Sequence, residues 1–185
     1  MAEIFERFGP IARELLAAWL RLPREGVVPD RDSFDPMAIR RILPVISLIE
    51  RKGEETWCYR LVGSEIERRW GRRITGMDVI QGVSPEAAAM IREELRTVVE
   101  WPCGSWSQRR ISLRSGRVAA VQTVRLPLRV KDGTVSQILS CSGELSGDGS
   151  AAADPTREIV RIVEHQFFDI GAGLPTQSTL VPRVR

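Results

Sequence analysis

Tyr59-Arg60-Leu61-Val62-Gly63-Ser64-Glu65-Ile66, followed by Trp70-Gly71 and then Thr75-Gly76, is the stretch that decides the fold. Alternation through Trp57-Cys58-Tyr59-Arg60-Leu61 reads as a β-strand, which stops at Gly63 and gives way to a Ser-capped pattern of short helices. A strand that turns at a glycine straight into helices lays those helices across one face of a sheet. Such a wall encloses a ligand in small sensory domains, and it directs the reading to sensing rather than catalysis. Gly63 is expected to be required there for its backbone freedom.

N-terminal to this segment, Ile4, Phe8, Ile11, Leu15, Trp19 and Leu22 recur at helical spacing and form one apolar stripe, broken at Pro10. The stripe packs on the chain's own sheet or, alternatively, meets the same helix of a second chain, with Ile11, Leu15 and Trp19 at a homodimer seam. Asp35 and Pro36 open a short helix carrying Met37, Ile39, Ile42 and Leu43, and Pro44 closes it. Arg31, set among acids in the preceding loop, is expected to tie that loop to the body of the domain.

Strands are expected at residues 45–50 and 56–62, then at 106–114, 118–130 and 135–145, with turn chemistry at Ser115-Gly116 and Lys131-Asp132-Gly133-Thr134. Between the second and third strands, Ser84 caps a helix, Pro85 takes its first position and Trp101-Pro102 ends it. The prediction is an α+β fold. It has a five-stranded antiparallel sheet with helices over one face, an N-terminal amphipathic helix (1–24), a main domain (25–146), and a linker with a C-terminal extension (147–185). The small-residue run 146–153 reads as flexible, 157–168 fits a helix or a strand with a lean to strand or extended arm, and the last ten residues read as a surface tail.

With 185 residues, 43% of them hydrophobic, the chain can bury one full core. Charges interrupt every apolar run near the N-terminus, and no run approaches the ~20 apolar residues of a membrane span, so a cytoplasmic location is expected. Cys58, Cys103 and Cys141 are odd in number and widely spaced, which suits reduced thiols rather than disulfides or zinc. His165, the one histidine, leaves no His-based triad or multi-histidine metal site, and it is expected at the surface or an interface. Of the pairs Arg68-Arg69, Arg72-Arg73 and Arg109-Arg110, the first two would lie close together on the helical wall and suggest an anion or nucleic-acid patch. Acids stand beside them and the net charge is only +3, so a solvated, salt-bridged surface is the expectation and nucleic acid an unfavoured partner.

Pro29-x-Arg31, Phe34-Asp35-Pro36, Leu43-Pro44, Tyr59-Arg60-Leu61-x-Gly63, Gly71, Thr75-Gly76, Leu126-Pro127-Leu128 and Asp169-Ile170-Gly171-Ala172-Gly173-Leu174-Pro175 occur in an order that resembles stand-alone bacterial PAS-like proteins. The resemblance runs from about Trp19 to Pro175. It implies a PAS sheet and a sensory or protein-interaction role in bacterial signalling, and it carries no catalytic residues and no established cofactor.

A pocket between sheet and helices would be formed by Tyr59, Leu61, Ile66, Trp70, Ile74, Met77, Met90, Ile111, Leu113, Val124 and Leu126, with Gln122 and Ser140 as polar handles. The same residues would equally fill a packed core. The function expected is a non-enzymatic regulatory module that binds a small ligand, a separate signalling protein, or both. Two alternatives are a small cavity enzyme or carrier using a buried acid, and a basic nucleic-acid-binding adaptor.

Overall fold

The computed structural model describes residues 2–144 and 156–175, so the expected linker at 146–153 and the final ten residues lie outside the described residues. Two N-terminal helices, α1 (Ala2–Glu6) and α2 (Pro10–Arg21), are separated at Pro10 as the sequence requires. The strands β1 (Ile46–Arg51) and β2 (Trp57–Val62) precede α3 (Ser64–Trp70) and α4 (Pro85–Glu100). Then come β3 (Gly104–Leu113), β4 (Val118–Arg129), β5 (Val135–Glu144) and β6 (Thr156–Phe168).

All neighbouring strands are antiparallel, in the order β2-β1-β5-β4-β3-β6. The sheet therefore has six strands rather than five, because residues 156–168 pair along the outer edge of β3. Residues 36–45 form two 3₁₀ turns, Pro36–Ile39 and Leu43–Val45, instead of one helix. Pro36 opens the first of these turns and Pro44 lies in the second. The preceding loop is tied down by Asp30, whose carboxylate accepts from Arg129 Nε at 2.7 Å, while Arg31 lies over the Phe34 ring.

Apolar layers cover both faces of the sheet. On the outer face, Leu15, Leu16 and Trp19 of α2 pack against Ile46, Leu48, Val124, Leu126, Leu128 and Leu139. On the inner face, Ile91, Leu95 and Val98 of α4 meet Ile111, Leu113, Val121, Ile138, Ile162 and Phe167. Ser84 Oγ accepts from Ala87 N at the start of α4, as its sequence position predicts. Leu15 and Trp19 are fully buried in this chain's own core and Ile11 rests beside Gly143, so the helix stripe is directed at the sheet.

Pro127 sits within a central strand, a place that usually rejects proline. Here the β3–β4 ladder ends at Ser105↔Arg125, so no β3 partner requires an N–H at position 127. The Pro127 carbonyl instead accepts the indole N–H of Trp19 at 2.9 Å, which locks α2 to the sheet.

Candidate ligand chamber

Strand alternation and register decide which side chains reach the inner face. In the β3–β4 ladder odd residues pair with odd: Ser105↔Arg125, Ser107↔Thr123, Arg109↔Val121 and Ile111↔Ala119. Ser140 of β5 lies between Arg125 on one side and Ser47 of β1 on the other. A polar belt of Ser47, Ser105, Ser107, Arg109, Thr123, Arg125 and Ser140 is thus buried across the middle of the sheet.

Glu94 projects into this belt from α4 and is 0% exposed. Its Oε1 accepts from Arg125 Nη1 at 2.6 Å and from Ser105 Oγ at 2.7 Å, and its Oε2 accepts from Arg109 Nη2 at 2.8 Å. Burial raises the Glu94 pKa, but Arg125 and then Arg109 outweigh that effect and hold the carboxyl well below its usual range. Arg109 is pushed down to about 10, by burial first and by the neighbouring Arg125 charge second. His165 of β6, opposite Ser107, is buried with Nε2 3.6 Å from Glu94 Oε1, and neither ring nitrogen has a hydrogen-bond partner.

Beside the cluster lies a cavity of about 60 Å³, walled by Ile66, Arg69 and Trp70 of α3, Tyr59 of β2, and inner-face residues including Arg109, Ile111, Arg125 and Ser140. Arg69 Nη2 donates to the Ser142 carbonyl at 2.6 Å, which holds this wall helix against β5. At this volume the cavity holds a few heavy atoms, well short of the ~300–1,000 Å³ that drug-sized ligands occupy.

Of the residues expected at a pocket, Tyr59, Ile66, Trp70, Ile111 and Ser140 line this cavity. Leu113 lies in the inner core, Met90 packs against that core, and Ile74 is buried, but none of them lines the cavity, and neither does Met77. Leu61, Val124 and Leu126 contribute to the outer core instead. Gln122 also faces outward, accepting from Gly9 N at 2.9 Å and donating to the Arg7 carbonyl at 2.8 Å. For Leu61 the cause is a bulge: Ile49 pairs with Tyr59 and Leu48 with Leu61, so Arg60 is an extra residue that reverses the facing. Val124 and Leu126 follow from parity, since they alternate with Thr123 and Arg125.

The arginine pairs split. Arg69 and Arg109 are buried, whereas Arg68, Arg72, Arg73 and Arg110 are exposed and Arg68 pairs with Glu65. His165 is likewise interior rather than superficial, because β6 joins the sheet and turns it inward. Glu94 was legible in principle, standing three residues after Ile91 and four before Val98 on the apolar face of its helix. Cys103 and Cys141 are inert thiols, pushed up to about 12 by burial.

No match is found among curated proteins. Among solved structures, the chain is similar to VqmA bound to DPO, at 14% identity and a TM-score of 0.48 over 60% of this chain and 56% of that one. It is similar to an RNA-binding Light-Oxygen-Voltage receptor at 14% identity and 0.46, over 66% of this chain and 35% of that one. It is also similar to the Rhodobacter sphaeroides LOV protein at 15% identity and 0.45, over 64% and 73%. The chain therefore spans less than two thirds of the length of the first two. A family model described as a PAS domain matches residues 8–142, well over half of the sequence, and the chain belongs to the PAS domain family.

Proposed function

We propose that this PAS domain is a non-enzymatic sensory module that admits a small ligand to the chamber beneath α3 and relays the change to an effector protein. The observation that carries this reading is the buried polar cluster on the inner face, set against the apolar packing of the outer face. Burying several charges costs more than filling the same space with apolar side chains, so structural needs alone do not call for it. A cytoplasmic location and a separate signalling partner belong to the same proposal.

The alternative of a cavity enzyme using a buried acid is disfavoured by Glu94 itself. It is the one acid among the buried residues described, both its oxygens are occupied, and it is held ionised, which suits neither a proton donor nor a base. Native mass spectrometry of protein purified from its own host tests the sensory reading. A bound small molecule that is lost on denaturation is the expected result. A bare polypeptide mass, with no stabilisation by a host small-molecule extract, would overturn it.

A further inference from the structure

Among the described residues, charge on the inner face does not balance. Glu94 is one carboxylate facing two buried guanidiniums, Arg109 and Arg125, and its two oxygens are already consumed by them and by Ser105. Arg69 across the cavity is answered by the charges of Glu65 on its own helix and Glu144 at the end of β5, so the uncompensated cation belongs to the Arg109–Arg125 pair. Arg125 is 4% exposed, lines the cavity, and its Nε is buried without a hydrogen-bond partner. Hydroxyl-bearing Ser47, Thr123 and Ser140 border the same space.

A planar guanidinium with an unused N–H is matched by an oxygen-bearing anion, and the cavity admits only a few heavy atoms. We propose that the chamber binds a small oxyanion, a short carboxylate or inorganic phosphate, against the guanidiniums of Arg109 and Arg125. The proposal rests on the sensory reading above and names its ligand class. The anion would share the positive charge of Arg109 and Arg125 with Glu94, so occupancy weakens their hold on the carboxylate and loosens the tie between α4 and the sheet. That sharing converts binding into a change in the helical wall.

Thermal unfolding of the full chain at pH 7 and constant ionic strength tests this, with sodium chloride replaced stepwise by millimolar sodium acetate or sodium phosphate and with acetamide as a neutral control. A saturable rise in Tm with acetate or phosphate, but not with acetamide, is expected. The anion that saturates identifies carboxylate or phosphate as the source. Arg125→Met should lose about tenfold or more in affinity, and Glu94→Gln, which keeps both guanidiniums but weakens the competitor, should gain by a similar factor. If Arg125→Met fails to fold, Glu94→Gln decides, and no gain there overturns the proposal. Equal responses to acetate and acetamide, an unchanged affinity in Arg125→Met, or no saturable response to either anion would each overturn it. A host small-molecule extract separates the two readings: stabilisation by extract but by neither anion removes the oxyanion and keeps the sensory chamber, whereas no stabilisation by any of them removes both.

Discussion

The ring of Phe168 occupies the space that a side chain at Gly104 would need: a Cβ there would lie 2.1 Å from Phe168 Cζ and 2.2 Å from Cε2. The two residues face each other across the β3–β6 ladder, and the ring meets Phe8 edge-on at 5.5 Å in the outer core. Gly104→Ala should therefore destabilise the protein by about 1–3 kcal/mol, the usual range for overpacking. Shortening the ring's reach with Phe168→Leu should recover part of that loss, giving a coupling of about 0.5–3 kcal/mol in a double-mutant cycle read by urea unfolding. Strictly additive losses would show that the ring is free to move aside.

Gly63 makes a different demand from the one its sequence position suggests. Its φ of −68° is ordinary for any residue, so conformational freedom is not what selects glycine. A Cβ would instead stand 2.3 Å from the carbonyl oxygens of both Leu43 and Pro44, backbone atoms that cannot step aside. Gly63→Ala is thus expected to be nearly as damaging as Gly63→Val, with each losing more than about 2 kcal/mol. An alanine variant with wild-type melting and a failing valine variant would restore the explanation from backbone freedom.

These two glycines show what could be read from the sequence. Strand and helix positions were legible because β-alternation, the Ser84-Pro85 cap and the turn residues are local signals. Three things were not local: the register that sends Val124 and Leu126 outward, the Arg60 bulge that does the same to Leu61, and the return of residues 156–168 to the edge of β3. Tyr59, Ile66, Trp70, Ile111 and Ser140 line the cavity as expected, and the polar Ser47, Arg109, Thr123 and Arg125 line it with them. The one local hint was Glu94 within an apolar helical face, alongside Arg109 in step with Ser107 and Ile111.

Trp19 is expected to matter to this chain's own fold. Its indole donates to Pro127, its ring is stacked by Arg24 at 4.6 Å, and it is 0% exposed. Trp19→Ala should lose about 3–5 kcal/mol. Trp19→Phe should lose about 1–3 kcal/mol, because the Pro127 carbonyl would be left without its donor. Chemical unfolding of dilute protein checks both, and losses that vanish on dilution would place Trp19 in a contact between chains.

Glu94 should dominate the response to acid. Its folded pKa lies below the ordinary 4.5, so its stabilising contribution is complete above about pH 4.5 and is lost as pH falls through the lower folded value. Glu94→Gln removes the charge at every pH and leaves two buried guanidiniums without a carboxylate, at a cost of about 3–5 kcal/mol near neutrality. The difference in unfolding free energy between wild type and variant should therefore be flat from pH 7 to about 5 and shrink at lower pH, where the wild-type carboxyl also becomes neutral. Urea unfolding at steps across that range reads it directly. A gap that stays constant into strong acid would mean that the Arg109–Glu94–Arg125 contacts contribute through shape rather than charge.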